Sequence, residues 1–446
     1  MLSVNCCKGF LMKIDQKIQN LNEITRKDFP FFANNPDTVY LDSAATSLTP
    51  TSVIEAIDRY YQNYSVNVHR GVYRASMEAS EVYEGVRDKI RNFISASNDY
   101  EVVYTRNTTE SINLLAYSLE RAHKLGEMYS AWDVPWEKGD VILISESEHH
   151  SNIVPWQMLA DKVEAQIVFV PVIENGALDL NKFEDIQKEL KNRRVKIVSL
   201  AHVSNVSGIV HDLKPFSKYA RDKGALFIID GAQSVCHMKV DITDIDCDFY
   251  AFSAHKMLGP TGVGTLVGRR DLLDHIPPFL GGGDMILDVL KSKTVYNAPP
   301  YKFEAGTPNV SGVFGFGAAI DYLEKVGLDN IHRWEKHLLK YAMESLEKED
   351  GVTMHGPSLT DVKNGAYEKT AVLSFNIDGI HPHDVGTILD EHSVCIRAGH
   401  HCCQVLMSVW GTHATNRASF YLYNDFEDVD KLILAIQAVR KIFQKK

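Results

Sequence analysis

The feature that most constrains the fold is a pair of short apolar runs, within residues 226–256, that each lead to a charged side chain. Residues 226–229 are apolar and rich in branched side chains, and they stop at Asp230, which is typical of a buried strand in a parallel sheet. Residues 248–252, Asp-Phe-Tyr-Ala-Phe, form the second, strand-like run, whose apolar part begins at Phe249 and which leads to Lys256. Because ligands of open α/β sheets bind at the carboxyl ends of strands, we expect Asp230 and Lys256 to face one crevice.

This pair of charges predicts a cofactor. Pyridoxal 5'-phosphate needs a lysine for its Schiff base and an acid against its pyridine nitrogen, which keeps the ring an electron sink. A single aspartate or lysine is most often a surface charge, but charges are rarely left alone in buried strands. Asp230 and Lys256 together therefore favour pyridoxal phosphate over a pair of solvated side chains.

The rest of the chain predicts an α/β fold. Strands alternate with helices through about residue 270, which indicates βαβ units around a mixed, mainly parallel sheet. Residues 123–137 have no clear period and predict a surface loop. Further strands are predicted at 102–105, 141–144, 167–170, 196–201, 265–267 and 372–376. Helices are predicted within 13–35 and at 51–64, 77–94, 312–325, 330–349, 383–392 and 426–443.

Net charge, hydropathy and cysteine content limit the classes of partner and the cellular setting that we expect. The formal net charge of −11 argues against nucleic acid or an anionic membrane as the main partner. No apolar run approaches the roughly 18–20 residues of a membrane span. Residues 1–12 lack the apolar core and cleavage site of a signal peptide. Seven cysteines, an odd number, do not describe a disulfide framework, so we expect a reducing, cytoplasmic setting.

Two strand ends carry candidate binding residues. Thr108 and Thr109 stand where a helix follows strand 102–105, and a helix N-terminus offers N–H groups to a phosphate. Taken alone, such threonines are more often an ordinary helix cap. His149 follows strand 141–144, where it could stack on a pyridine ring and relay protons near neutral pH. The residues by themselves leave open that it is a loop histidine held by hydrogen bonds.

Cys402 is the candidate nucleophile among the cysteines. It lies in a polar turn of glycine and histidine with Arg397 nearby, surroundings that favour a reactive thiolate. Residues 400–403, His-His-Cys-Cys, raise the alternative of a metal site, but adjacent ligands lack the gaps of structural zinc sites, so no metal is predicted. Three other cysteines have apolar or strand-like neighbours and are interpreted as packing residues: Cys236, Cys247 and Cys395.

Three motifs carry a resemblance to a known family. They are Asp-Gly-Ala-Gln at 230–233, Ser-Ala-His-Lys-Met-Leu-Gly-Pro-Thr-Gly at 253–262 and Arg-Ala-Gly-His-His-Cys at 397–402. In this order they resemble the class V aminotransferase family of pyridoxal phosphate enzymes, and within it the type II cysteine desulfurases of the SUF iron–sulfur assembly system. The resemblance extends from about Tyr40 to the last helix.

The resemblance implies a fold and its division. The fold class is α/β, the PLP-dependent transferase fold (aspartate aminotransferase-like, fold type I). A large domain is built on a mixed, mainly parallel sheet, and a smaller α+β domain is C-terminal. The expected divisions are residues 1–35 as an N-terminal arm packing on the small domain, 36–310 as the large cofactor-binding domain, and 311–446 as the small domain carrying the catalytic cysteine.

The resemblance also implies roles for residues that match the family's motifs. The implied catalytic residues are Cys402, Lys256 and His149. The implied substrate-binding residues are Arg417, whose guanidinium would hold a carboxylate by two parallel bonds, together with Asn205 and Arg397. Thr307 is implied to reach the phosphate in a neighbouring subunit. The other implied cofactor contacts are Lys256, Asp230, Gln233, His149, Thr108, Thr109, Ser253, His255 and Asn205.

The implied reaction converts L-cysteine to L-alanine and leaves a persulfide on Cys402. Lys256, displaced from the cofactor by the substrate, takes the Cα proton, Asp230 keeps the pyridinium protonated, and the Cys402 thiolate attacks the substrate sulfur. The expected partners are a second copy of the chain in a homodimer and a sulfur acceptor. That acceptor would be a SufE- or SufU-like protein, the SUF scaffold or a free thiol, in the service of iron–sulfur cluster assembly.

Three other functions remain open at this point. A selenocysteine lyase would release selenium without the thiol, and a PLP aminotransferase would not use Cys402 at all. A catalytically idle scaffold is the third, and the intact set of candidate catalytic residues argues against it. The short connection between Cys402 and Arg417 is typical of the type II enzymes, whereas Cys403 and Val405 depart from the family's pattern.

Overall fold

The computed structural model describes residues 20–125 and 135–443. The first part of the predicted N-terminal arm, residues 1–19, and most of the predicted surface loop at 123–137 lie outside the described residues. Among the helices that are described, none is both long enough and apolar enough to cross a membrane.

The strands of the described chain are numbered in chain order. They are β1 (Val39–Tyr40), β2 (Tyr100–Thr105), β3 (Val141–Ser145), β4 (Gln166–Val170), β5 (Val195–Ala201), β6 (Leu226–Asp230), β7 (Phe249–Ser253), β8 (Gly264–Arg269), β9 (Ile286–Val289), β10 (Thr294–Tyr296), β11 (Val352–His355), β12 (Val372–Ile377), β13 (Val394–Cys395), β14 (Arg397–Gly399) and β15 (Thr415–Ser419).

The α-helices are numbered in the same way. They are α1 (Leu21–Thr25), α2 (Pro30–Asn34), α3 (Thr51–Asn63), α4 (Arg74–Phe93), α5 (Thr108–Leu125), α6 (Val154–Val163), α7 (Leu180–Glu189), α8 (Lys214–Lys223), α9 (Ile242–Ile245), α10 (Arg270–His275), α11 (Val310–Val326), α12 (Leu328–Leu346), α13 (Leu359–Lys363), α14 (Pro382–Glu391), α15 (Gln404–Val409) and α16 (Phe426–Phe443).

A seven-stranded sheet forms the centre of the fold, in the order β2-β8-β7-β6-β5-β3-β4. The pairs from β7 to β4 are parallel, whereas β8 runs antiparallel to both of its neighbours, β7 and β2. Parallel neighbours need crossover connections, which the intervening helices provide. The sheet is mixed and mainly parallel, which confirms the predicted α/β class.

Each face of this sheet has its own core. In β3, Val141 and Leu143 belong to one buried apolar cluster, whereas Ile142 and Ile144 belong to another. Successive side chains of a strand point to opposite faces, so alternate residues of β3 enter different clusters. This explains why the strand is a continuous apolar run in the sequence instead of an alternating one.

A second, four-stranded sheet has the order β11-β12-β15-β14 and is antiparallel throughout. The short strand β1 pairs in parallel with β13, so that Val39 lies opposite Val394 and Tyr40 opposite Cys395. This pairing fixes the segment that follows the N-terminal arm beside the C-terminal part of the chain.

The N-terminal arm differs from its prediction. Instead of one helix within residues 13–35, the described part has two five-residue helices, α1 and α2, separated by a 3-10 turn at Arg26–Asp28. Pro30 occupies the first position of α2. Proline has no N–H to donate, so it interrupts the hydrogen bonds of a preceding helix, but it suits the first position of a new one. Pro30 therefore separates the 3-10 turn from α2.

The arm is bonded to the C-terminal segment. The Thr25 hydroxyl donates to the Leu422 carbonyl at 2.8 Å, and the Arg26 guanidinium donates to Asp428 at 3.0 Å. The division of the chain into an arm, a large domain and a small domain remains a prediction. The predicted helices 312–325 and 330–349 correspond to α11 and α12, each shifted at its ends by a few residues.

Candidate active site

A cavity of about 210 Å³ opens at the carboxyl ends of three neighbouring strands of the large sheet. The last residues of β5, β6 and β7, which are Ala201, Asp230 and Ser253, all line it. Backbone at a strand end is released from the sheet, so the side chains that follow can converge there. The cavity therefore lies at the edge of the sheet from which the sequence predicted a binding crevice.

Asp230 is buried at the end of β6 and faces this cavity. Its Oδ1 accepts a hydrogen bond from the Ala232 N–H at 2.9 Å. Burial raises the pKa of Asp230, while the Ala232 N–H and the charge of Lys256 act in the opposite direction. Gly231 is required next to it, because a Cβ there would lie 2.0 Å from the ring of Tyr250. The carboxylate is thus held in one position by its own strand and turn.

Lys256 ends a 3-10 turn, Ala254–Lys256, directly after β7. The carbonyl of His255 accepts hydrogen bonds from the Ser47 N–H at 2.9 Å and the Ser47 hydroxyl at 3.0 Å, which ties the turn to the N-terminal segment. Burial lowers the pKa of Lys256, and the charge of Asp230 opposes that shift. A lysine shifted toward its neutral amine is suited to attack a carbonyl carbon and to accept a proton.

His149 follows β3 in the cavity wall. Its Nδ1 accepts the Ser151 N–H at 3.1 Å, so the neutral ring carries its proton on Nε2. Burial lowers the pKa of His149 to about 3, and nearby cations, among them Lys256 and Arg397, deepen the shift. The ring is therefore neutral at pH 7, in contrast to the titration near neutral pH that we expected. An anionic ligand in the cavity would offset those cations and raise the pKa.

Thr108 and Thr109 begin α5 and line the cavity. The helix is capped by Asn107, whose side-chain oxygen accepts a backbone N–H from the first turn at 2.9 Å. The Thr108 hydroxyl pairs with the Ser253 hydroxyl at 2.7 Å. The Thr109 hydroxyl pairs with the Ser151 hydroxyl at 2.6 Å. Asn107 has the capping role, so neither threonine is needed as the cap, and their role as a phosphate seat remains a prediction.

Two amide side chains connect the cavity to its surroundings. Gln233 donates from Nε2 to the Ala44 carbonyl at 2.7 Å, while its buried Oε1 has no hydrogen-bond partner among the described residues. A buried acceptor without a donor costs free energy, so this oxygen marks a place for a donor from a ligand. Asn205 donates to the His401 carbonyl at 2.7 Å, which links the cavity wall to the turn that holds Cys402.

Arg417 lies on β15 and is fully buried. Its Nη2 donates to Asp42 Oδ1 at 2.9 Å and its Nη1 to the Asn205 carbonyl at 3.0 Å. Burial lowers the pKa of Arg417, and the carboxylate of Asp42 opposes this shift. The buried Nε has no partner within the described chain. A guanidinium fixed in this way, with a donor still unused, can bind and orient a carboxylate.

Cys402 lies in a tight turn at the rim of the cavity. The φ angles of His401 and Cys402 are +52° and +56°, a conformation that non-glycine residues adopt only when their surroundings impose it. The Cys402 N–H donates to His400 Nδ1 at 3.0 Å, and its carbonyl accepts the His150 N–H at 2.7 Å. The Sγ atom accepts a hydrogen bond from Nη2 of Arg397 at 3.5 Å, so the thiol is in direct contact with a residue of the cavity wall.

Cys403 points away from the cavity. It is fully buried in a small apolar cluster that includes Val172 and Val206. Its thiol donates to the Glu148 carbonyl at 3.2 Å, and burial raises its pKa far above the ordinary value. Buried thiols of this kind are unreactive, so the two adjacent cysteines differ in environment.

The structure brings most of the predicted site residues together. Those that line the cavity are Thr108, Thr109, His149, Asn205, Asp230, Gln233, Ser253, His255, Lys256, Arg397 and Arg417. Cys402 reaches this group through its contact with Arg397. Thr307 is exposed and does not line the cavity, so its predicted role requires a second copy of the chain.

Two residues that hold others in place are missing from the predicted set. Asp42 binds Arg417, and Ser151 contacts Nδ1 of His149 through its hydroxyl at 3.1 Å. Asp42 follows a short apolar run, as Asp230 does, and this pattern was the available signal for it. Ser151 had no such signal, because a serine in a loop is an ordinary polar residue.

The lining residues fit pyridoxal phosphate. Asp230 is a buried carboxylate that can face a pyridinium, and Lys256 is an amine in the same cavity. The start of α5 offers hydroxyls and a helix N-terminus to a phosphate. The unpartnered oxygen of Gln233 awaits a donor. The carboxylate, the amine and the start of α5 together match a cofactor with a basic ring nitrogen, an aldehyde and a phosphate.

Comparisons with known proteins give the same result. The family model for class V aminotransferases matches residues 39–432. A probable cysteine desulfurase of Halalkalibacterium halodurans is 44% identical over 427 residues, which cover 95% of this chain and 99% of the relative.

Two solved structures are similar over nearly the whole chain. The apo cysteine desulfurase from Thermococcus onnurineus NA1 has a TM-score of 0.84 at 39% identity, covering 96% of this chain and 99% of that one. The cysteine desulfurase CsdA from Escherichia coli, in an S-sulfonic acid form, has a TM-score of 0.82 at 34% identity. The match covers 95% of this chain and 99% of that one. These similarities confirm the predicted transferase fold. With the family model matched over most of its length, the chain belongs to the class V aminotransferase family.

Proposed function

We propose that this protein is a pyridoxal phosphate-dependent cysteine desulfurase, which converts L-cysteine to L-alanine and keeps the sulfur as a persulfide on Cys402. The observation that carries the proposal is the position of the Cys402 thiol, 3.5 Å from Arg397 at the rim of the cavity that contains Lys256 and Asp230. The names of the similar proteins support the same activity.

Arg417 is proposed to bind the substrate carboxylate. It is buried beside the cavity and held by Asp42 and by the Asn205 carbonyl, so its direction is set before the substrate arrives. A guanidinium that needs no reorientation loses little side-chain entropy when it binds a carboxylate. The carboxylate of Asp42 opposes the lowering of the Arg417 pKa that burial causes.

Lys256 and Asp230 are proposed to serve the cofactor. Pyridoxal phosphate, when bound, supplies the electron sink that makes the Cα–H bond of the substrate acidic. Asp230 would keep the ring nitrogen protonated through its buried carboxylate. Lys256, whose amine is shifted toward the neutral form by burial, would accept the Cα proton.

The Cys402 thiolate is proposed to attack the sulfur of the substrate. The new S–S bond forms as the Cβ–S bond breaks, the electron pair of that bond stays with carbon, and a proton then completes the methyl group of alanine. His149 is the proposed proton carrier, because its neutral ring has a proton on Nε2 and lies in the cavity wall. No external oxidant or reductant is consumed in this step.

The sulfur is proposed to leave through a protein acceptor. Cys402 is only partly buried, so its persulfide can be reached from outside the cavity. The proposed acceptors are a SufE- or SufU-like protein or the scaffold on which iron–sulfur clusters are assembled, with a free thiol as the simplest substitute.

The decisive experiment measures the products made from L-cysteine. With a reductant present, alanine and sulfide should accumulate in equal amounts. Without it, alanine release should slow after about one equivalent per active site, because the persulfide stays on the enzyme. Turnover of L-selenocysteine alone would indicate a selenocysteine lyase, a keto acid product would indicate an aminotransferase, and no turnover of either substrate would indicate an idle scaffold.

We also propose a homodimer in which Thr307 completes the partner's site. Thr307→Ala is expected to weaken pyridoxal phosphate binding about tenfold, because a hydrogen bond to a charged phosphate contributes roughly 1.5–3 kcal/mol. Fluorescence titration of the apo-protein measures this affinity, and light scattering measures the dimer. Thr353→Ala, which changes another exposed threonine, on β11, is the matched control and should bind the cofactor normally.

A mixture of variants tests whether Thr307 acts across the interface. A dimer of one Lys256→Ala subunit and one Thr307→Ala subunit has one site with Lys256 and an intact Thr307 from the partner. One tight cofactor site per mixed dimer is expected. No tight site in such mixed dimers, or a monomer that holds the cofactor and is active, contradicts the shared-site proposal.

A further inference from the structure

Three potential metal ligands meet at the rim of the cavity. His150 follows β3, while His400 and Cys402 belong to the turn that follows β14. One ligand atom from each residue lies within 4.8 Å of the other two, and the centroids of the two imidazole rings are 5.4 Å apart. We refer to His150, His400 and Cys402 as the His–His–Cys cluster.

This cluster differs from the run 400–403 for which the sequence predicted no metal. Nε2 of His401 pairs with the Thr415 hydroxyl at 2.9 Å, and the thiol of Cys403 is buried. Neither of those two side chains joins the cluster, and its third member, His150, comes from a distant part of the chain. The spacing argument against a metal therefore does not apply to it.

Both imidazoles present a lone pair. Nε2 of His150 accepts the Gln404 N–H at 3.1 Å, and Nδ1 of His400 accepts the Cys402 N–H at 3.0 Å. A neutral imidazole is a metal ligand, and a divalent cation is a stronger partner for its lone pair than a backbone N–H.

We propose that His150, His400 and Cys402 bind one thiophilic divalent cation of the Zn²⁺ class. Two imidazoles and a thiolate form the nitrogen and sulfur set that this class prefers, with a fourth position left for water. With Zn–N of about 2.0–2.1 Å and Zn–S of about 2.3 Å, tetrahedral ligands lie roughly 3.3–3.7 Å apart. The three ligand atoms lie within 4.8 Å of one another, so they have to approach by about 1 Å when a cation binds. The side chain of His400 is exposed and has room for this movement.

The cation and Arg397 compete for one sulfur. Nη2 of Arg397 lies 3.5 Å from Sγ of Cys402, so a bound cation must displace the guanidinium. It also occupies the sulfur lone pair needed for attack on a substrate. The bound cation therefore reversibly blocks persulfide formation. This block, unlike the binding of the cation itself, rests on the proposed function.

Cobalt substitution tests the ligand set without turnover. Reduced holoenzyme titrated with Co²⁺ should bind one equivalent per subunit. It should develop a thiolate-to-cobalt charge-transfer band and the visible d–d bands of a four-coordinate site, and Zn²⁺ should abolish both by displacement. Zn²⁺ should also slow the alkylation of Cys402 by iodoacetamide, followed by peptide mass spectrometry.

Matched variants decide the outcome. His400→Ala and Cys402→Ser should each weaken Zn²⁺ binding by roughly tenfold or more, since loss of even an outer-shell partner costs a metal site that much. His413→Ala removes an exposed histidine outside the cluster and should bind Zn²⁺ like the unaltered protein. Equal affinities in His400→Ala and His413→Ala, or cobalt bands that persist in Cys402→Ser, would overturn the proposal. An enzyme without desulfurase activity that passes these tests refutes the proposed function and leaves the cation site standing.

Discussion

Lys256→Ala protein is expected to be colourless and inactive with L-cysteine. Its cavity keeps Asp230 but loses the amine that is proposed both to attach the cofactor and to accept the Cα proton. A general base alone contributes about 10²–10⁴-fold to a rate, so we expect alanine formation to fall by at least roughly a thousandfold. The visible absorption spectrum after dialysis, together with an alanine assay, measures both effects.

Lys369 provides the matched control for this variant. It is buried, and burial lowers its pKa to about 7, so it too has an amine available near neutral pH. Its Nζ donates to the Ser207 carbonyl, and it does not line the cavity. Lys369→Met should therefore remain yellow. Cofactor absorbance that persists in Lys256→Ala and disappears in Lys369→Met would show that the attachment site is assigned wrongly.

The second large effect is expected at Cys402. Cys402→Ser should reduce alanine formation from L-cysteine by at least roughly a thousandfold, because a serine hydroxyl is a weak nucleophile at neutral pH. Cofactor binding should remain intact, since the thiol lies at the rim and does not line the cavity. Activity on L-selenocysteine should decline less, because selenium leaves more readily. Product analysis with both substrates measures the difference.

Cys403→Ser is the control that the chain itself offers. The Cys403 thiol is buried and bonded to the Glu148 carbonyl, so its loss should lower stability by about 1 kcal/mol while most of the turnover remains. After a pulse of L-cysteine without reductant, mass spectrometry should find the extra sulfur on Cys402. Extra sulfur mainly on Cys403, combined with an active Cys402→Ser enzyme, would reverse the assignment.

The large sheet and one wall of the cavity follow from local patterns. Strands β6 and β7 are short apolar runs, and each leads to a charged side chain: Asp230 is the last residue of β6, and Lys256 ends the turn that follows β7. The interior does not tolerate such a charge without a partner. Asp230 and Lys256 could therefore be predicted as a pair. The roles of Cys402 and Arg417 came from the family's motifs, because a polar turn and a strand arginine are common in unrelated proteins.

What the sequence could not predict depends on contacts between distant segments. The low pKa of His149 arises from burial and from cations that approach it in space, and neither is visible in its neighbours along the chain. The opposite environments of Cys402 and Cys403 result from the positive φ of the turn. The His–His–Cys cluster needs His150, which no spacing rule connects to residue 400.

The bond between Asp42 and Arg417 joins residues 375 positions apart in the chain. A ribosome delivers the N-terminal part first, at about 5–20 residues per second. During synthesis Asp230 and Lys256 therefore emerge well before Cys402 and Arg417. A nascent chain can therefore contain the lysine proposed to hold the cofactor while it lacks both the arginine proposed to bind the substrate and the thiol proposed to take its sulfur. Under the proposed function, sulfur chemistry is thus confined to chains whose synthesis has passed the last strand of the smaller sheet.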